Sequence, residues 1–217
     1  MEQEYARLDM PIGEAMFSQR SIRRFRSDPI PVEDLQLIMD AAVKAPSGGN
    51  RQPARFLVLT DPQVIRDFGA LYREAWWAKR RDEKRPWTRR EEIPAEERSH
   101  ASAARLADEI RDAPCIILAF TTMKNGASSV IPSVQNLMLA ARALGVGSVP
   151  TTLHPTVLDR VYTLLSVPPE MEFHLCIPLG YPRGRFGPTQ RIAASEVTYL
   201  NRWAAPAPWA AMVSAQR

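Results

Sequence analysis

The chain has 217 residues, 45% of them apolar, with 28 Lys and Arg against 24 Asp and Glu for a formal net charge of +4. That composition can build a sizeable core, most simply as one domain over 1–217, and it excludes general disorder. The basic residues are interspersed with acids and show no aromatic–basic repeat or finger spacing, so no nucleic acid is expected; the surplus suits a phosphorylated cofactor or an anionic substrate instead.

No apolar run approaches the roughly 18 residues of a membrane helix, and Met1-Glu2-Gln3-Glu4 lacks the basic and apolar parts of a signal peptide. A cytoplasmic protein without a membrane partner is the expectation. Cys115 and Cys176 sit inside apolar runs and read as reduced core thiols. His100, His154 and His174 make no zinc spacing, so no metal is expected.

In chain order, 10–18 suits a short helix with Ile12, Ala15 and Met16 on an incomplete apolar side. Arg20, Ser21 and Arg23 follow, two guanidinium forks and a hydroxyl within four positions. That set fits phosphate oxygens, although a solvated charged face is the commoner meaning of a basic cluster taken alone. Residues 32–44 carry Leu35, Ile38, Met39 and Ala42 at three-to-four spacing, with Glu33 and Asp34 at the positive end and Lys44 at the other, which predicts a core-facing helix. Pro46 and Gly48-Gly49 end it. In the stretch from Ala45 to Pro53, Ser47, Asn50 and Gln52 offer short polar arms, either an ordinary connector or a clasp for a planar polar ligand.

A strand is predicted over 55–60, and Asp61-Pro62 turns into a helix bearing Val64, Ile65, Phe68 and Leu71. The pattern changes at Tyr72: Trp76, Trp77, Lys79, Arg80 and Trp87 mix aromatic faces with charge. Residues 72–112 therefore read either as a cover over a flat ligand or as a helical arm with buried tryptophans. Residues 96–112 look helical, 115–120 form an apolar strand suited to burial between layers, and 129–144 form a helix with Val130, Val134, Leu137, Met138, Ala141 and Leu144 on one side. Pro132 fits only near the beginning of that helix. A turn over 146–152, a helix over 156–165 and a strand over 173–179 complete the pattern, before an Ala-, Pro- and Trp-rich tail over 198–217. There is no dinucleotide fingerprint, phosphate loop, HExxH or GxSxG. A site of distributed contacts remains, and no catalytic residue is assigned.

The Arg20-Ser21-Ile22-Arg23-Arg24 cluster, the 45–53 stretch, Arg191 and Asn201-Arg202-Trp203 together resemble the FMN-dependent nitroreductase family, over nearly the whole chain. The resemblance implies an α+β, three-layer α-β-α fold with a central mixed, mainly antiparallel sheet in a swapped homodimer. It implies FMN as cofactor, with Arg20, Ser21, Arg23 and Arg191 on the phosphate. Pro46, Ser47, Asn50 and Gln52, and Gly147 and Ser148 beside the ring, are further contacts. Gln19 stands where many relatives carry another basic residue, which leaves that part of the grip weaker or differently supplied. The 129–144 helix is expected in a dimer core, and the tail is expected to cross the partner with Trp203 and Trp209 as anchors. Tyr72, Trp76, Trp77, Arg80 and Trp87 are the substrate or lid candidates. The implied activity passes two electrons from NADH or NADPH through flavin to a small electron-poor acceptor: a nitroaromatic, quinone or activated alkene. Flavin-dependent dehydrogenases, reductive dehalogenases, flavin-fragmenting enzymes, enzymes fed with separately reduced flavin and a non-catalytic flavin-binding protein are the alternatives.

Overall fold

Strand β2 (Cys115–Thr121) sets the layering in the computed structural model, which describes residues 5–208. Its side chains alternate between two cores: Ile116, Leu118 and Phe120 enter one, Cys115, Ile117 and Ala119 the other. A strand apolar on both faces has to be covered on both. On the first face lie α3 (Pro62–Asp82), α4 (Arg98–Glu109) and α6 (Leu158–Leu165); on the second lie α2 (Val32–Ala42) and α5 (Ala127–Ala143). The short α1 (Ile12–Ser18) packs on α5.

β2 pairs antiparallel with β1 (Ala54–Leu59) on one side and β4 (Glu172–Gly180) on the other. A two-residue β3 (Gly147–Ser148), within the stretch expected as a turn, pairs with the end of β4, giving the order β1-β2-β4-β3. All these ladders are antiparallel, and the mixed character comes from a parallel bridge between Ser21 and Ser148.

Two helices run past their expected limits. α3 does not break at Tyr72 but continues to Asp82, because Ile65, Phe68, Tyr72 and Ala75 prolong one buried stripe. Asp61 starts it by accepting hydrogen bonds from the N–H groups of Gln63 (2.7 Å) and Val64 (3.0 Å). α5 begins at Ala127, so Pro132 lies in its second turn and forgoes a bond only to the Ser128 carbonyl.

The chain divides into two compact units, 1–187 and 188–217. In the second, α7 (Ala194–Val197) leads to a bridge between Tyr199 and Pro206, and the Tyr199 and Trp203 rings lie 4.7 Å apart. Trp203 is 87% exposed. Trp209 lies outside the described residues.

α3 crosses the turn after α4 at Gly69, where an added Cβ would stand 2.8 Å from the Arg111 backbone. Helix propensity favours alanine over glycine by about 1 kcal/mol, but overpacking a close crossing costs about 1–3 kcal/mol. Gly69→Ala is therefore expected to lower the urea midpoint; a raised midpoint would contradict this crossing.

Candidate functional site

The arginine cluster is an extended rim on the sheet's β3 edge. Ile22 N–H donates to the Ser148 carbonyl (3.0 Å), Arg26 N–H to Tyr181 (2.8 Å), and Arg183 N–H to Arg24 (3.1 Å). This close seating depends on a glycine pair. Gly147 and Gly180 face each other across β3 and β4, and a Cβ on either would stand 2.8 Å from Ile22 or Phe25. Ile22 and Phe25 are thus the residues that position the cluster. Sequence reading did not single them out, although their apolar character within a basic run was the available signal.

Arg20 and Ser21 are exposed, and among the described residues their side chains take part in no ion pair or hydrogen bond. Arg23 is half-buried; burial lowers its pKa, while Tyr72 nearby opposes that shift and Arg20 reinforces it. With Phe25, Glu109, Asp112, Ala113 and Arg183 it lines a polar cavity of about 210 Å³. The rim therefore presents cations with free donors, the chemistry that a phosphate requires. Gln19, by contrast, turns inward and donates to Met138 Sδ at 3.7 Å. Gly147 and Ser148 come together with this cluster but are buried beneath it, and the Ser148 carbonyl is occupied by Ile22.

The loop after α2 is held in a strained turn. Gly49, Asn50 and Gln52 have φ of 58°, 52° and 48°, a region disfavoured for a residue such as glutamine. Ser47 Oγ accepts the Gln52 N–H at 2.8 Å, and Gln52 Nε2 donates to Asn50 Oδ1 at 2.9 Å. The polar arms read as ligand clasps are thus partly turned on one another, which fixes the loop's shape. Pro46, Gly48, Gly49 and Asn50 remain exposed.

The two halves of the expected site lie far apart in one chain. Gly48 N–H points to Ser129 Oγ (3.4 Å) in the first turn of α5, whereas Ser18 Oγ accepts from Arg142 Nε (2.9 Å) in its last. Those anchors are separated by about 20 Å of helix. The sheet agrees: the loop enters β1 at Ala54, opposite Thr121, while Ser21 bridges Ser148, which pairs with Leu179 and through it with Cys115. The clusters occupy diagonal corners, about 20 Å apart along the strands and 14 Å or more across them. Arg191 is exposed in the second unit, its Nη1 donating to the Gln190 carbonyl at 2.7 Å.

The arm residues form a small core of their own. Trp77, Trp87, Ile93 and Ala104 pack together with half-buried Trp76 against them. Arg80 is buried with its guanidinium 4.9 Å from the Trp76 ring. Tyr72 sits deeper, in the main core; burial pushes its phenol well above its ordinary value, while a hydrogen bond with Thr151 and the charge of Arg23 pull it back. Trp77 Nε1 and Arg80 Nε are buried without an acceptor among the described residues, an arrangement that costs about 1–3 kcal/mol per group.

Burial pushes the Cys115 and Cys176 thiols up to about 12, so neither supplies a thiolate. Among the described residues no acidic, His or Cys group could hold a metal, and no helix is long and apolar enough to cross a membrane.

The chain thus has a layered α+β fold with an arginine-lined sheet edge. Residues 17–181 match the model of the nitroreductase family, and the chain belongs to that family. The iodotyrosine deiodinase of Thermotoga neapolitana is 29% identical over 169 residues, covering 76% of this chain and 84% of that one. The NADH dehydrogenase of Thermus thermophilus is 32% identical over 198 residues, covering 84% and 92%. Among solved structures, iodotyrosine deiodinase bound to FMN and 3-iodo-L-tyrosine aligns with a TM-score of 0.68 at 24% identity, over 87% of this chain and all (100%) of that one, a likeness of fold.

Gly147→Ala should force Ile22 off the β3 edge, lowering thermal stability and disordering the arginine rim together. Circular dichroism melting combined with the affinity for a phosphorylated flavin checks this; an unchanged pair of values would contradict the seating described.

Proposed function

We propose that the chain is an FMN oxidoreductase whose site is completed by a second copy, passing two electrons from NADH or NADPH to an electron-poor organic acceptor such as a nitroaromatic, quinone or activated alkene. The observation that carries the reading is the unpaired donor set of Arg20 and Ser21, beside half-buried Arg23, on the edge of a nitroreductase-family sheet. FMN supplies hydride exchange when bound. The chain's own part is to bind and orient. Arg20, Ser21 and Arg23 would hold the phosphate by charge-assisted bonds of about 1.5–3 kcal/mol each, and the rigid 46–52 loop would contact the planar ring system. For Arg191 the proposal rests on its charge and exposure alone.

The separation of these clusters along α5 favours a homodimer. With two chains related by a twofold axis and their α5 helices antiparallel, each arginine rim would face the other copy's 46–52 loop. The surface beside α5 has the required character. Ile12, Met16 and Phe17 of α1, Val43 and Ile131 are exposed, and Leu8, Met10, Ile12, Ala15, Leu139 and Ala143 help to line an apolar groove of about 210 Å³. Exposed apolar ground of this kind marks an interface. The packed arm around Trp77 and Trp87 is proposed to shift when acceptor binds, since its unsatisfied donors make the packed state costly.

Purified protein should retain one FMN per chain, and anaerobic mixing with NADH or NADPH should bleach the oxidised flavin within seconds. Absence of bound flavin would overturn the reading; flavin retained but unreduced by either donor would favour a binding role or separately supplied reduced flavin. Trp76→Ala should change the relative kcat/KM across an acceptor panel severalfold while FMN affinity stays within about twofold, because aromatic contacts contribute about 0.5–1.5 kcal/mol. Uniform kinetics across the panel would exclude the arm from acceptor choice.

A further inference from the structure

We infer that Arg142, in the last turn of α5, is an additional ligand of the anion held by Arg20, and that Glu14 is the carboxylate which that anion displaces. The inference rests on the FMN reading above, with the flavin phosphate as the anion. Arg142 Nε donates to Ser18 Oγ at 2.9 Å, two residues before Arg20, and Nη2 lies 3.4 Å from Glu14 Oε1. Its guanidinium lies 4.2 Å from the Phe186 ring centroid. The next residue, Gly187, is where an added Cβ would stand 3.9 Å from Arg20 Nη1. The two guanidiniums thus flank the same pair of residues. One turn back on α5, Met138 accepts from Gln19 Nε2 at 3.7 Å, so Ser18 and Gln19, the two residues before Arg20, are both strapped to the helix.

Charge and burial give this arrangement a purpose. The Arg142 side chain is 12% exposed, yet its carboxylate partner is 54% exposed. An ion pair with so exposed a carboxylate is weak, whereas a mostly buried guanidinium gains most from a multivalent, planar-matched acceptor such as phosphate. The end of α5 also carries about half a negative charge on its unpaired carbonyls. An anion bound beside Arg20 would feel that repulsion, and a cation in the last turn offsets it. Gln19 cannot serve, because its amide faces Met138.

The test compares FMN with riboflavin, which lacks the phosphate, by fluorescence titration of the full chain freed of flavin. Wild type should prefer FMN. Arg142→Met should weaken FMN binding by about tenfold or more and leave riboflavin within about twofold, while Arg142→Lys keeps most of the preference. Glu14→Gln should tighten FMN by about two- to fivefold without changing riboflavin, as expected for removal of a weak competing charge. An unchanged FMN-to-riboflavin ratio in Arg142→Met, or equal loss of both ligands with a lowered melting temperature, would overturn the inference and leave Arg142 a structural strut. Failure of Glu14→Gln to tighten FMN would remove the exchange. A wild type that binds neither flavin would instead sink the FMN reading and this inference with it.

Discussion

Helix α5 holds apart the two polar regions to which the proposed function assigns the flavin. Its first turn meets the 46–52 loop through Ser129, and its last meets the approach to the arginine rim through Arg142. A helix of this length is a rigid spacer of about 20 Å between those anchors, buried along one side by Val130, Val134, Leu137, Met138 and Ala141. Because both regions are fastened to the same rod, neither can swing toward the other without unpacking the core beneath α2. In the proposed homodimer, a second α5 pointing the other way would unite them and leave each chain intact.

The same economy governs the sheet edge. β3 is two residues long, but Gly147 and its partner Gly180 remove the side chains that would hold the 20–26 segment away. Ile22 and Phe25 fill that space, and the intervening basic residues are left facing outward or into the polar cavity beside Asp112. Apolar anchoring thus positions groups whose own mutual repulsion would disperse them. Burial of Arg23 adds a desolvation penalty that an anionic ligand relieves.

Much of this was legible from residues alone. The apolar run at 115–120 announced a strand covered on both faces, and the stripes of α2 and α5 announced their packing, because both signals are local. The donor groups of Arg20, Ser21 and Arg23 were visible too, though local sequence left them open between an anion grip and a solvated charged face. Their distance from Ser47 and Asn50 was not, since it follows from strand order and ladder direction, which no local pattern encodes. Tyr72 misled because charged neighbours diluted the stripe that carries α3 onward to Asp82. Trp77 and Trp87 have composition compatible with a cover or a core, and in this chain they pack into a core. β3 escaped notice because two residues hold no periodicity. The engagement of Ser47 and Asn50 with Gln52 depended on backbone torsions that the glycine pair permits but does not announce.

The central claim, that one flavin site draws on two chains, is tested most directly by complementation. One variant carries Arg20→Ala and Arg23→Ala, the other Ser47→Ala and Asn50→Ala; each alone should bind FMN poorly. If the site is shared, co-folding the two should yield heterodimers with one intact site, and titration should recover about one tight FMN per heterodimer counted by native mass spectrometry. If every heterodimer binds as poorly as its parents, each chain builds its own site, and the account of α5 as the spacer between two halves is wrong.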